Sequence, residues 1–179
     1  MKVLRKVNFS EVLKAFDDEH PRDQGSNDWA WKRLHDANQK FNGTWHKVRL
    51  SRKDVLDILL VWHQDKDMEL IPQTGLSVLE AGERFQTIKD EYREKNKDCY
   101  DKIIRFGQDT FSLIFLSAEP IKGFGVPEYE YLQYRSKHLV HLDGLHRLIA
   151  WEIVGKFSLL KYYLSREKLE AYVAGLVSK

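Results

Sequence analysis

The chain has 179 residues, 42% of them hydrophobic and 12% aromatic, which is enough apolar surface for one packed domain and too much for wholesale disorder. Lys and Arg total 29 against 27 Asp and Glu, and the balance is even along the chain, with 15 of each sign in residues 1–90 and then 14 basic and 12 acidic. No basic cluster marks a duplex-binding face, so nucleic acid is not an expected partner. The single cysteine, Cys99, cannot form an internal disulfide and suits a reducing compartment. The opening MKVLRKVNFSEVLKAFDDEH lacks the apolar stretch of a signal peptide, and no apolar run approaches a bilayer span. The expectation is a cytoplasmic globular protein, with no membrane partner and an open oligomeric state.

Lys2–Val7 alternates weakly, as a short strand does, and Ser10 can cap a helix running to Asp18 with Val12, Leu13 and Phe16 at helical spacing. His20–Asp28 is rich in turn formers, and Asp28 can open a second helix, WAWKRLHDANQKF. Asn42-Gly43 then turns the chain into a strand, Trp45–Leu50. Ser51 with Asp54 opens a helix through RKDVLDILLVW, and Ser77 with Glu80 forms a capping box for a helix from Val78 to about Lys95. A further helix, Asp98–Phe106, ends at Gly107. Thr110–Leu116 is a compact apolar run and reads as a buried strand, followed by a Gly/Pro-rich loop, Ala118–Pro127. Tyr129–Tyr134 reads as an edge strand and Leu139–Leu142 as a short strand. A helix over Leu145–Val154 stops at Gly155, Leu159–Leu164 reads as a strand, and Ser165 caps a final amphipathic helix. The pattern predicts an α/β (α+β) domain with a mixed sheet flanked by helices. It divides into a helical N-terminal extension over 1–44 and a core over 45–179, with no linker between them.

Residues 139–164, LVHLDGLHRLIAWEIVGKFSLLKYYL, carry the one signature. A strand runs into Asp143-Gly144 and then into a helix whose first turn holds His146 and Arg147. Amide N–H groups collect at such a helix start, Gly144 removes a blocking side chain, and His and Arg donate to oxyanions. Together these make an anion cradle suited to phosphate. His141 and Asp143, two apart on a strand, share a face, as in the His-x-Asp half of a metal triad. His138 and His146 join them in inviting a metal reading, but no histidine follows His146 to complete a triad; upstream His35, His46 and His63 could close a site and read more simply as ordinary surface or core hydrogen-bonding residues.

Asp143, Gly144, His146, Arg147, Ala150 and Gly155, with the strands around them, resemble the ParB/sulfiredoxin superfamily, closest to its Asp-Gly-x-His-Arg free-amino-acid (serine) kinase branch. A sulfiredoxin's cysteine would fall at Leu145, and the residues after Ser165 are too few for ParB's DNA-binding domain. The resemblance implies an enzyme that moves a phosphoryl group from ATP or ADP with Mg²⁺ to a small hydroxyl-bearing metabolite. The phosphates would lie on Gly144, His146 and Arg147, Asp143 and His146 would be catalytic, and Asp143 would hold Mg²⁺. Glu69, Glu119, Lys122 and His141 are further candidates for substrate or metal contacts. The alternatives are a nucleotide- or anion-binding module without catalysis, and a ParB-like DNA-associated protein. Asp143 reads more plainly as an N-cap, the five Trp as core, and Cys99 as an inert, packed thiol.

Overall fold

The computed structural model describes residues 1–20, 28–65, 68–161 and 168–177. In chain order the elements are β1 (Lys2–Val7), α1 (Phe9–Glu19), α2 (Asp28–Lys40), β2 (Trp45–Leu50), α3 (Arg52–Leu56), β3 (Leu59–Leu60), β4 (His63–Asp65), β5 (Met68–Ile71) and β6 (Leu76–Ser77). There follow α4 (Val78–Lys95), α5 (Lys97–Phe106), β7 (Ile114–Ser117), α6 (Pro127–Glu130), β8 (Val140–Asp143), α7 (Leu145–Ile153), a 3-10 turn at Lys156–Lys161 and β9 (Leu169–Ala174). Seven strands form one mixed sheet in the order β1–β2–β9–β7–β8–β3–β6, while β4 and β5 make a separate hairpin. The β9–β7 and β8–β3 pairs are parallel and the rest antiparallel. The fold is therefore mixed α/β, as the sequence predicts.

Alternation along the central strands sends side chains to two cores. On β7, Ile114 and Leu116 enter the core under α4, α5 and α7, whereas Phe115 enters the core under α1, α2 and α6. On β9, Ala171 and Val173 face the first core, and Tyr172 and Ala174 the second. Burial on both faces explains why the β7 segment reads as a compact apolar run. The first 44 residues belong to this packing. β1 pairs with β2, while Val12 and Phe16 of α1 and Leu34 and Ala37 of α2 are buried in the second core.

Both capping boxes form: Ser51 with Asp54, and Ser77 with Glu80. α1 starts two residues earlier than expected, because the Asn8 side chain accepts the Glu11 amide. The Ser51 helix stops at Leu56, not Trp62. Ile58–Val61 are all buried, and Leu59 pairs with Val140 as a strand. Such a run has no periodicity that separates strand from helix. The strand expected over Thr110–Leu116 begins only at Ile114. Tyr129–Tyr134 is not an edge strand. Pro127, its φ already suited to a first helical turn, opens α6 there and Tyr129 is buried. The strand expected over Leu159–Leu164 is a 3-10 turn to Lys161, and the final helix is instead strand β9. Ser165, and positions 21–27 of the expected loop, lie outside the described residues. Among the described residues no helix is long and apolar enough to cross a membrane.

Candidate functional site

The Asp143–Arg147 turn opens onto a cleft of about 880 Å³. Its walls come from distant parts of the chain: Glu19 and His20 at the end of α1, Arg33 on α2, His63 on β4, and Lys102 and Arg105 on α5. The turn is built as the sequence suggests, with β8 ending in Asp143 and Gly144 standing at the N-cap of α7 in a left-handed conformation (φ 104°). A Cβ on Gly144 would lie 2.9 Å from Ile114 Cγ2. The glycine is thus required by backbone and packing alike.

Within the turn the polar groups have mostly been claimed by protein partners. The Leu145 amide donates to His141 Nε2 at 3.0 Å, so an imidazole, not Asp143, satisfies this first-turn donor. With Nε2 accepting, the His141 proton resides on Nδ1, a buried atom with no hydrogen-bond partner among the described residues. Burial, then the charges of Arg33 and its neighbours, hold this imidazole well below its usual pKa. The hydroxyl of buried Tyr129 donates to the His141 carbonyl at 2.9 Å, fixing that stretch of β8. Arg147 is 8% exposed and reaches back across the turn. Its Nη2 donates to Asp143 Oδ2 at 2.7 Å, and its Nη1 to Glu19 Oε2 at 3.0 Å and Ser112 Oγ at 2.7 Å. His20 Nε2 lies 3.4 Å from the same Asp143 oxygen.

On the other side of the turn, His146 meets two residues that no local spacing connects to it. Cys99 Sγ is 2.9 Å from His146 Nε2 and 3.7 Å from His63 Nε2, and the two rings meet edge to face with centroids 4.8 Å apart. Cys99 and Ile103 form the buried face of α5, which packs on α7. Burial first, then the nearby His63 and Lys102, keep His146 neutral well below the ordinary imidazole range. Cys99 is buried as expected, and it forms part of a Cys/His cluster.

The structure gathers Asp143, Gly144, His146, Arg147 and His141 at one cleft. Glu69, Glu119 and Lys122 are not among the residues that line it. Glu69 sits on the β4–β5 hairpin, where its carbonyl accepts from Arg84. The Glu119 carbonyl accepts from Ser117, and Lys122 donates to the Glu130 carbonyl. His138 bonds the Asp57 carbonyl and the His35 ring lies tilted against Trp31, so neither joins the cluster. Asp143 Oδ2 is engaged by protein partners, the Arg147 guanidinium at 2.7 Å and the His20 imidazole at 3.4 Å. The contributions of Glu19, His20, Arg33 and Cys99 are absent from the sequence reading, since only the folded topology brings them to the turn, and His63 enters it only as one of several upstream histidines that could close a metal site.

Fold and site together define a mixed α/β protein with a polar cleft at a strand–glycine–helix junction. The chain belongs to a family of unknown function, DUF6309, which it matches over residues 1–179. No curated protein and no solved structure matches it.

Proposed function

We propose that the protein is a small-molecule enzyme whose cleft takes an anionic, phosphate-bearing metabolite. Nucleotide-dependent phosphotransfer is the reaction that the ParB/sulfiredoxin resemblance implies. The observation that carries this reading is a surplus of donors. Arg33 Nε, Trp62 Nε1, Trp151 Nε1 and His141 Nδ1 are buried on cleft-lining residues without a hydrogen-bond partner among the described residues. Buried donors are costly unless something accepts from them, and phosphoryl oxygens are acceptors only. Lys102 and Arg105 add positive charge on the same wall. A reducing, cytoplasmic setting belongs to this reading, because the Cys99 thiol lies against His146.

A second reading, a binding module without catalysis, is favoured by Asp143, whose carboxylate is already held by Arg147 and His20. A thermal-shift series with ATP, ADP, CTP and pyrophosphate, with and without Mg²⁺, tests both. A ligand at 100 times its Kd should stabilise the fold by about 2.7 kcal/mol. The shift should shrink in Lys102→Ala and Arg105→Ala variants. Phosphoryl transfer to a panel of hydroxyl metabolites then separates enzyme from module, while the absence of any shift with every phosphate ligand rejects both.

A further inference from the structure

His63, Cys99 and His146 come from β4, α5 and α7, and each turns one ligand atom inward so that all three lie within 4.8 Å of one another. We infer that these side chains form a zinc site whose fourth coordination position opens into the cleft. In a tetrahedral zinc site, Zn–S of about 2.3 Å and Zn–N of about 2.0–2.1 Å place sulfur and nitrogen roughly 3.6 Å apart. Cys99 Sγ already stands 3.7 Å from His63 Nε2, and its 2.9 Å approach to His146 Nε2 needs only a small opening to admit the ion. The two imidazole rings meet edge to face, at 87°.

The donor set selects the metal. One thiolate and two imidazoles are borderline-soft ligands that favour zinc over the hard cations magnesium and calcium. Three protein ligands rather than four match the open type of zinc site, in which water or a substrate oxygen completes the tetrahedron. His63 and His146 line the cleft and Cys99 stands behind them, so the vacant direction points to where a ligand enters. Ionised Cys99 halves the ion's charge, which eases its placement near Lys102. Two of the ligands sit on packed helices, which hold their geometry better than loops do. The site does not rest on the phosphate reading.

The test is metal content and spectroscopy, independent of any activity. Protein purified from zinc-supplemented culture under reducing conditions should carry one zinc per chain by plasma mass spectrometry. Co(II) loaded in its place should show thiolate-to-metal charge-transfer absorption that disappears in Cys99→Ser. His63→Gln, at a half-buried position that tolerates the change, should weaken zinc by more than the roughly 10–100-fold typical of outer-shell substitutions. Circular dichroism establishes that each variant is folded. The inference is overturned if the parent takes up no zinc on anaerobic incubation with Zn(II). It is equally overturned if folded Cys99→Ser and His63→Gln bind zinc undiminished, or if the protein prefers copper and turns intensely blue. Zinc binding without any phosphate-induced thermal shift would keep this site and remove the substrate reading; the reverse result would remove the site alone.

Discussion

Replacing Arg147 with Ala should destabilise the fold by about 2–4 kcal/mol, somewhat less than the ~3–5 kcal/mol lost when one partner of a fully buried ion pair is removed. Three contacts disappear, to Asp143, Glu19 and Ser112, and the two carboxylates are left facing a cavity without their cation. Hydrogen bonds to charged groups contribute about 1.5–3 kcal/mol each. The Asp143 and Glu19 side chains, 17% and 27% exposed, recover part of their hydration in the variant, which keeps the total below the simple sum. Urea denaturation followed by tryptophan fluorescence measures the loss, and with m of about 1–3 kcal/mol/M the midpoint should fall by roughly 1 M or more. Arg147→Lys should recover only part of it, since an ammonium cannot reproduce the guanidinium fork. A double-mutant cycle with Glu19→Gln should show coupling above about 0.5 kcal/mol. A loss below about 1 kcal/mol with no coupling would show that the network is hydrated and that Arg147 does not tie α1 to α7.

Gly144→Ala should cost about 2–4 kcal/mol in the same assay, combining left-handed backbone strain with a methyl group pressed on Ile114. Ile114→Val in that background should leave the loss in place, because valine keeps the Cγ2 methyl that the new Cβ meets. At Glu80, burial pushes the carboxyl up, but the Ser77 amide, Arg135 and the Ser77 hydroxyl outweigh it and hold the pKa below 4.5. A depressed folded pKa gives stability that is present above the unfolded value and lost as pH falls through the folded one. Glu80→Gln should therefore flatten the acid limb of urea midpoints between about pH 5 and 3. At neutral pH it should cost less than about 1 kcal/mol, because the pair with Arg135 is exposed.

Elements with strong ends were legible in the sequence. Ser77 with Glu80 marks α4, Asn42-Gly43 delivers the chain into β2, and Gly144 separates β8 from α7. Segments buried on both sides were not. Ile58–Val61 carries no polar face, and Leu169–Ala174 breaks its buried run only at Glu170, so their type is decided by neighbouring strands and not by their own periodicity. The Asp143–Arg147 turn was visible because its residues are contiguous. His63 and Cys99 lie 36 residues apart, and Cys99 and His146 47 apart, separations that follow no local ligand spacing. What Arg147 touches was likewise hidden, since Glu19 lies 128 residues away.

The placement of β9 has a consequence for synthesis. This strand follows every other described element in sequence, yet it sits inside the sheet, antiparallel to β2 and parallel to β7. Until residues 169–174 leave the ribosome, β1–β2 and the β7–β8–β3–β6 block have no strand to join them. Each waits with an open, apolar edge, the kind of template that invites pairing with another nascent chain. Long-range closure of this type is slow, so the central sheet should be completed only after translation of β9. A ribosome stalled a few codons short of it would hold two half-sheets, and those chains should depend most on chaperones that mask strand edges.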